Sequence, residues 1–421
     1  MVEAAMSVPD TDSKLGREFR KLWIAATVSG LGDGVTQIAG PLLAVSITRS
    51  PAQVAGLLVS QQLAWLLLAL PSGAMVDRAD RRLAMASASV VRAAALGALG
   101  LLVFTGYASL LLLYVIFFVV GCAGLVFENA CTAVLPALVA RSGLERANGR
   151  LQSAAALARS LVAQPLGAWL FALAAWIPFL LDASGLVLVA ALAIALPALV
   201  NSARAETPRA TLRASVQEGV RWLVGNRLLR TLALTVAISN VGLGAVFSVF
   251  VLVARVRLGV GPLGYGLLLA TSAVGGIAGG LLAERAVAAM GAGWVMRVEM
   301  IVEILTYLGF ALTRSVIVAG VLLALLGMHL VMFSAVGASL RQSLAPPSML
   351  GRVHGAYRVA SNGGMLAGAV LGALLSTYFG LTAPFWLGCT VMTAVSVFVW
   401  GALNNRDIQA ARQPELASAG R

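Results

Sequence analysis

The sequence predicts an all-α membrane protein with twelve transmembrane helices arranged as two pseudo-symmetric six-helix bundles. Three observations predict this fold class. The 421 residues are 60% hydrophobic and only 11% charged, with a mean hydropathy of +0.92, whereas a water-soluble domain needs far more charge to cover its surface. Long apolar segments follow one another along nearly the whole chain, and two groups of motifs recur about half a chain apart. Lipid is therefore the surrounding solvent.

The apolar segments have the length and composition of membrane-crossing helices. Most reach the ~20 residues that a spanning helix requires. Strands of a membrane barrel would be about half as long and would alternate apolar with polar residues, whereas these segments are continuously apolar. The twelve segments are residues 22–45, 53–76, 83–104, 108–133, 148–172, 176–200, 230–254, 263–284, 293–313, 315–340, 355–379 and 383–403.

Basic residues are distributed unevenly between the spacers. Of the 30 Lys and Arg residues, 24 lie on or beside the spacers at the amino end, after even-numbered segments and at the carboxyl end. This asymmetry follows the positive-inside rule and predicts a multi-pass protein of the cell (inner) membrane with both termini in the cytoplasm. The net charge of +13 is thereby explained by topology, so we expect the lipid bilayer as a partner and no nucleic acid.

Two sequence motifs recur at nearly the same offset. GAMVDR begins at Gly73 and GLLAER begins at Gly280, 207 residues later. LERANG begins at Leu144 and LGRVHG begins at Leu350, 206 residues later. Two separate matches at nearly the same offset predict a duplicated six-plus-six architecture, a known transporter design. The predicted parts are a tail 1–21, a bundle 22–200, a cytoplasmic linker 201–229, a bundle 230–403 and a tail 404–421.

The linker contains its own helical pattern. Leu212, Val216, Val220 and Leu223 recur at helical spacing, with polar residues between them. The pattern predicts an amphipathic helix lying on the cytoplasmic leaflet. A solvated linker helix is the alternative, and either suits a hinge between two halves.

The first of the repeated motifs resembles a known signature. The segment Gly73–Arg82 is similar to the loop Gly-x-x-x-Asp-Arg-x-Gly-Arg-Arg between helices two and three of the major facilitator superfamily. It departs from that pattern at Asp80, where the signature has Gly. The second copy keeps Gly280, Glu284 and Arg285 without the trailing basic pair, as second copies in that superfamily often do.

Within the superfamily, the chain resembles the transmembrane secretion effector branch, which includes enterobactin-type siderophore exporters and macrolide-efflux-like proteins. The resemblance implies a secondary active transporter, not an enzyme, that exports amphipathic small molecules in exchange for protons by alternating access, as a monomer. An uptake symporter or lipid mover on the same fold, and a non-transporting sensor or assembly protein, are the alternatives. The similar stretches are Ser29–Asp33 with Ile38–Pro41, Ala147–Asn148 with Arg159 and Pro165–Gly167, Leu181–Ser184, and Gln217–Trp222.

The resemblance also implies a cytoplasmic gate that holds the two halves together when the protein faces outward. Arg81 is expected to pair with Glu128, and Asp77 to interact with the positive amino end of the eleventh helix. The alternative is a solvated loop ion pair worth ~0–1 kcal/mol. The predicted gate residues are Gly73, Asp77, Arg78, Arg81, Arg82, Glu128, Gly280, Glu284 and Arg285.

Several ionisable residues fall inside apolar segments, where a charge costs at least ~3 kcal/mol on insertion scales. Asp33 lies ten residues past Trp23, hence ~15 Å along the first helix and near the midplane. One interpretation is a protonatable site in the cavity that carries the coupling proton. The other is a structural carboxylate tied to an arginine.

Three further charges are candidates for a buried structural network or for substrate binding. Arg92 is the partner of Asp33 by depth, because a buried guanidinium needs an anion. Arg159 is either an anchor for an anionic substrate, a counter-ion of Asp33 or Asp182, or part of a packing motif with Pro165. Asp182 is expected to be structural.

The second half contributes the remaining proton-coupling candidates, Glu303 and His329. Glu299 and Glu303 are spaced i, i+4 near the predicted cytoplasmic start of their helix. They suit a proton relay, although two like charges at a solvated helix end are a sufficient account. His329 lies between apolar residues, where a neutral hydrogen-bonded imidazole is commoner than a titrating one. The sequence has no Cys/His cluster with metal-ligand spacing, so we predict no metal site and no cofactor.

Overall fold

The computed structural model describes residues 16–140, 143–197, 212–344, 349–401 and 403–405. Within these ranges the chain is helical and contains no strand. The six helices of the N-terminal half are α1 Arg17–Ile47, α2 Pro51–Arg78, α3 Arg81–Phe104, α4 Leu110–Leu138, α5 Leu144–Leu173 and α6 Ile177–Ile194. The six of the C-terminal half are α7 Arg227–Arg257, α8 Pro262–Met290, α9 Ala292–Leu312, α10 Val316–Leu344, α11 Leu350–Phe379 and α12 Ala383–Val399.

These twelve helices correspond one to one with the twelve predicted segments. In the part of the chain that the structure describes, nine are long and apolar enough to cross a membrane, and α12 is apolar but shorter. Helix α9 falls outside the nine because Arg297, Glu299 and Glu303 all lie within its 21 residues. Helix α1 falls outside because Asp33, Gln37 and several glycines lower its hydropathy.

The two halves pack together at the end of the bundle where α1 finishes and α2 begins. A single core of buried apolar side chains crosses from one half to the other there, with Phe250 at its centre against Tyr265 and Phe310. Burial of apolar surface across both halves closes this end. The N-terminal half contributes Ile38, Leu42, Val54 and Ala168, and the C-terminal half contributes Val246, Phe250, Val253, Tyr265 and Leu268.

At the opposite end, which carries the start of α1 and the end of α12, each half has a separate core. One core, around Leu22 and Val134, draws only on the N-terminal half. The other, around Leu223 and Val353, draws only on the linker and the C-terminal half. The halves therefore share a core at one end only. The opposite end, with the start of α1 and the end of α12, is called here the terminal end.

Glycines allow the closest helix approaches inside the C-terminal half. A Cβ atom on Gly327 of α10 would lie 1.9 Å from the Ser272 carbonyl oxygen of α8. A Cβ atom on Gly368 of α11 would lie 2.1 Å from the Val241 carbonyl oxygen of α7. Only a residue without a Cβ lets these backbones touch, which is the small-residue packing used between membrane helices.

The linker contains the predicted helix, Leu212–Gly225. Leu223 is buried against Val353 and Ala356 of α11, and Glu218 forms an ion pair with Arg352 at 2.5 Å. Val220 is exposed, whereas the side chains of Leu212 and Val216 lie outside the described residues. The linker helix is thus attached to the C-terminal half, and its place on a membrane leaflet remains a prediction.

Candidate functional site

A cavity of about 370 Å³ lies inside the N-terminal half. All of its described lining comes from α1 to α5. The lining includes four amide side chains, which both donate and accept hydrogen bonds, and one indole ring. The polar and aromatic lining includes Asp33, Gln37, Gln61, Gln62, Trp65, Arg92, Glu128, Gln152 and Arg159.

Asp33 and Arg92 meet at the wall of this cavity. An Asp33 oxygen and the Arg92 guanidinium form an ion pair, with Asp33 32% exposed and Arg92 1% exposed. Arg92 also donates to the Ser29 hydroxyl at 3.0 Å. The sequence predicted that Asp33 and Arg92 would pair because they lie at similar depths in the membrane, and the structure contains this ion pair. The enclosed guanidinium is thereby compensated by a carboxylate that faces the cavity.

Arg159 lies on the other side of Asp33. Its guanidinium is 3.5 Å from the second Asp33 oxygen and is half exposed to the cavity. The helix around it, Ala158–Val162, is a π-helical turn, a feature that often marks functional sites. Pro165 follows it and cannot donate the usual backbone hydrogen bond, so it is a sequence signal for the irregular turn. Arg159 thus presents a cation to the cavity that Asp33 only partly neutralises.

Asp182 is buried behind α1 and does not reach Arg159. It accepts a hydrogen bond from Thr36 at 2.6 Å, and only 3% of its surface is exposed. A Cβ atom on Gly32 would lie 1.9 Å from an Asp182 oxygen. The carboxylate therefore ties α6 to α1, as expected for a structural acid. The hypothesis that it is the counter-ion of Arg159 is wrong, since Arg159 contacts Asp33 instead.

The predicted pair between Arg81 and Glu128 is not formed. Arg81 instead donates to the backbone carbonyl of Ala133 at 2.8 Å, close to Pro136, which cannot donate a backbone hydrogen bond. Glu128 is exposed and lines the cavity. Among the described residues, neither side chain forms an ion pair or hydrogen bond with the C-terminal half, so the gate role of both residues stays a prediction.

The other predicted gate residues lie at the terminal ends of α2, α3 and α8. Gly73, Asp77 and Arg78 belong to the last turns of α2. The side chains of Asp77 and Arg78 are outside the part of the chain that the structure describes. Asp80 caps α3, accepting from the Arg82 backbone N–H at 3.0 Å and from its guanidinium at 3.0 Å. This explains why the signature's Gly can be replaced here. Residues Gly280, Glu284 and Arg285 lie on the last turns of α8, and the last two are exposed.

The acids of α9 are deeply buried, which corrects the expectation that they lie at a solvated helix end. Glu299 is 3% and Glu303 1% exposed, because α9 is enclosed by neighbouring helices at their depth. His329 of α10 lies between them, with its Nδ1 3.1 Å from Glu299 and its Nε2 3.2 Å from Glu303. The sequence favoured a hydrogen-bonded imidazole at this position, and the structure shows that its partners are the two acids of α9.

Sequence reasoning missed the hydroxyl groups that complete both polar networks. Ser29 and Thr36 are spaced i−4 and i+3 from Asp33, so they lie on one face of α1. Ser239 and Tyr307 both donate to Glu303, at 2.7 and 2.9 Å. Spacing along one helix would have revealed the first pair and Tyr307, whereas Ser239 comes from another helix.

The fold and cavity define the class of the protein. Two six-helix halves that pack together at one end, the first of them containing a polar cavity, form the major facilitator fold of membrane transporters. A family profile of transmembrane secretion effectors matches residues 15–416, which is nearly the whole chain. The protein belongs to the transmembrane secretion effector family. No curated protein sequence matches it significantly.

Solved transporter structures share the fold. A bacterial homologue of the iron transporter ferroportin, in an inward-facing state, has a TM-score of 0.75 and 17% identity over 93% of this chain and 99% of that one. The nucleoside transporter NupG has a TM-score of 0.72 and 13% identity, covering 92% and 99%. A bacterial homologue of the human lysosomal transporter Spinster has a TM-score of 0.67 and 16% identity, covering 95% and 97%. At these identities the similarity shows the fold.

Proposed function

We propose that the protein exports amphipathic small molecules, such as drugs, secondary metabolites or siderophores, in exchange for protons by alternating access. The observation that carries this proposal is the cavity of the N-terminal half. It combines hydrogen-bonding amides, an aromatic ring and paired charges, the mixed lining that an amphipathic ligand requires. Family membership over nearly the whole chain supports transport as the activity.

The arrangement of the halves supports alternating access. The halves pack together at one end and have separate cores at the other. Arg358 of α11 stacks on Trp65 of α2, with its guanidinium carbon 4.1 Å from the ring centroid, so the halves also touch beside the cavity. With both termini in the cytoplasm, as the charge distribution predicts, this conformation faces inward. Rocking about the cavity would expose the same residues to the other side.

The charges around Asp33 suit a coupled cycle. While Asp33 is ionised, it holds Arg92 and partly neutralises Arg159. A proton on Asp33 would release Arg159 to a polar or anionic group of the substrate. Proton and substrate would then influence each other through one shared carboxylate, which is the thermodynamic requirement for coupling.

Everted membrane vesicles from cells that produce the protein test the proposal. Ethidium and an anionic fluorescent dye serve as probes, with and without an imposed inward-acid pH gradient. We expect probe accumulation that depends on the protein and collapses when a protonophore removes the gradient. Accumulation that requires the opposite gradient would indicate uptake by symport, and no protein-dependent movement of either probe would contradict the proposal.

Two arginines of α5 provide a matched pair for the same assay. Arg159 lines the cavity, whereas Arg150 is exposed two turns nearer the terminal end and is not among the described lining residues. We expect Arg159→Gln to lower probe flux and Arg150→Gln to leave it unchanged. Equal effects of the two substitutions on probe flux would contradict the proposal that the substrate passes through the cavity.

A further inference from the structure

The C-terminal half contains a buried polar cluster that the cavity does not use. It consists of Glu299 and Glu303 of α9 and His329 of α10, all of them 3% exposed or less. Both imidazole nitrogens face a carboxylate oxygen, at 3.1 and 3.2 Å. Apolar side chains surround the cluster, with the Phe333 ring centroid 5.6 Å from that of His329 and Met300 fully buried.

Hydrogen bonding in this cluster requires a proton beyond those of a neutral imidazole. A neutral imidazole has one N–H donor and one lone pair. With both glutamates ionised, one ring nitrogen would set its lone pair against a carboxylate oxygen at hydrogen-bond distance. The contact becomes favourable only when His329 carries both protons, or when Glu299 or Glu303 carries one. The geometry therefore needs at least two protons shared among three groups.

Glu303 accepts further hydrogen bonds from groups outside the cluster. One Glu303 oxygen accepts from Ser239 at 2.7 Å and from Tyr307 at 2.9 Å, while its second oxygen faces His329. Both oxygens of the Glu303 carboxylate therefore lie at hydrogen-bond distance from a polar group. With two shared protons the cluster carries a net charge of −1, and with three it is neutral. A buried charge without compensation is costly, so a third proton has an energetic reason to bind.

The described parts of the neighbouring helices α8 and α9 place no cation against the cluster that would neutralise its carboxylates. Helix α9 contributes Glu299 and Glu303, which face His329, and Tyr307, which donates to Glu303. Helix α8, packed on α10, approaches it through the backbones of Gly275 and Gly279. The one cation of α9, Arg297, is occupied elsewhere, because it donates to the Trp400 carbonyl and stacks on Trp294 and Trp400.

Ser239 of α7 connects the cluster to a less buried stretch of helix. Ser239 is half-buried, as are its neighbours from Val236 to Val241, so its hydroxyl joins the enclosed carboxylate to a partly exposed helix face. Asn240, beside it, donates to Ser361 of α11 at 3.2 Å. Because a hydroxyl both donates and accepts hydrogen bonds, Ser239 is the group of α7 through which a proton can reach Glu303.

We propose that Glu299, His329 and Glu303 form a proton-binding site in the C-terminal half that is separate from Asp33. A hydronium ion transfers its proton through Ser239 to a carboxylate of the cluster, and water returns to bulk. The site rests on the proposed function in one respect only, namely that its proton serves transport. With one proton site in each half, the relative motion of the halves changes the water access of both.

Nuclear magnetic resonance of the imidazole tests the site without any transport. The chain has two histidines, so His354→Gln leaves His329 as the only ¹⁵N-histidine signal in purified protein. We expect the ¹⁵N shifts of the two ring nitrogens to titrate between pH 5 and 9, and Glu303→Gln to move the midpoint by about one pH unit or more. Glu145→Gln, an exposed acid of α5, is the matched control and should leave the midpoint unchanged.

Infrared difference spectra across the same pH range follow the carboxyl groups. The proposal expects a protonated carboxyl band that Glu299→Gln or Glu303→Gln removes. A single neutral tautomer whose shifts stay constant from pH 5 to 9, together with a carboxyl band insensitive to both substitutions, would overturn it. If Glu303→Gln protein does not accumulate, Tyr307→Phe removes one donor to the same carboxylate and should also move the midpoint.

The outcome separates this site from the transport proposal. If His329 titrates in a way that depends on Glu303 but the protein moves neither probe, the proton site is supported and the proposed transport function is contradicted. Flux driven by a pH gradient, with a His329 signal that does not titrate and a carboxyl band insensitive to both glutamate substitutions, keeps the function and contradicts the site.

Discussion

Arg92 and Asp33 form an ion pair whose partners differ sharply in exposure. The Arg92 side chain is 1% exposed, whereas that of Asp33 is 32% exposed. Removing the carboxylate leaves an enclosed cation, while removing the guanidinium leaves an anion that water and Arg159 can still stabilise. Removing Asp33 should therefore destabilise the fold more than removing Arg92 does. Comparing the two losses of stability measures the structural role of Asp33 apart from any role in transport.

A double-mutant comparison tests the structural role of the pair. Asp33→Asn should destabilise the protein by about 1–3 kcal/mol, because the buried guanidinium loses its charged acceptor. Arg92→Met should cost less, and adding it to Asp33→Asn should restore part of the loss. The melting temperature of purified protein in detergent, followed by tryptophan fluorescence, measures this order. Losses that simply add in the double variant would show that the two side chains are not coupled.

The contact between Gly32 and Asp182 gives a second stability prediction. A Cβ atom on Gly32 would lie 1.9 Å from an Asp182 oxygen, and Thr36 holds that carboxylate in place. Gly32→Ala should therefore cost about 1–3 kcal/mol through overpacking. Gly363→Ala is the matched control, since a Cβ atom on that helical glycine meets nothing within 4 Å. Equal melting temperatures for the two variants would contradict the described contact.

The sequence predicted the fold because membrane helices are defined by length and apolarity, which are local properties of the chain. Each predicted segment contains a helix, and the repeated motifs placed the division into halves near the linker helix. Helix α9 shows the limit of this reasoning. Its three charges weaken the apolar signal, and only packing by its neighbours explains how Glu299 and Glu303 are kept from water.

The site was harder to predict because contacts between helices depend on rotation about each helix axis, which spacing along one chain does not determine. Depth alone paired Asp33 with Arg92, because a buried cation restricts the possible partners. No comparable restriction applied to His329, whose two glutamates come from another helix. The expected pair of Arg81 with Glu128 rested on a family pattern, and Arg81 instead found a backbone carbonyl.

Topology can be tested directly. A reporter fused after Arg421 should read cytoplasmic, because 24 of 30 basic residues lie on or beside the spacers assigned to that side. The matched control is a reporter inserted at Gly106, in the turn between α3 and α4 at the closed end, which should read extracytoplasmic. The reverse pattern in a dual phosphatase and fluorescent-protein assay would overturn the predicted orientation.

The cytoplasmic gate predicts a transport defect without a folding defect. Asp77→Asn should lower probe flux about tenfold, equivalent to ~1.4 kcal/mol on the limiting barrier, because the outward-facing state loses a charged contact near the start of α11. Its abundance in the membrane should stay near normal. Glu145→Gln, at the same end of the bundle and exposed, is the control. Normal flux in the Asp77 variant would remove its gate role.

The last prediction assigns the coupling proton of the N-terminal half to Asp33. This carboxylate faces the cavity at the depth of the buried Arg92 and lies 3.5 Å from Arg159, so its protonation changes the charge that a substrate meets. Asp33→Asn mimics the protonated side chain. It should abolish probe accumulation driven by a pH gradient while sparing probe binding and downhill exchange, both measured in proteoliposomes and normalised to the amount of folded protein. Glu145→Gln should preserve all three activities. If Asp33→Asn keeps uphill accumulation and its pH dependence, Asp33 is structural, and the coupling proton must bind elsewhere, with Glu303 and His329 as the next residues to substitute.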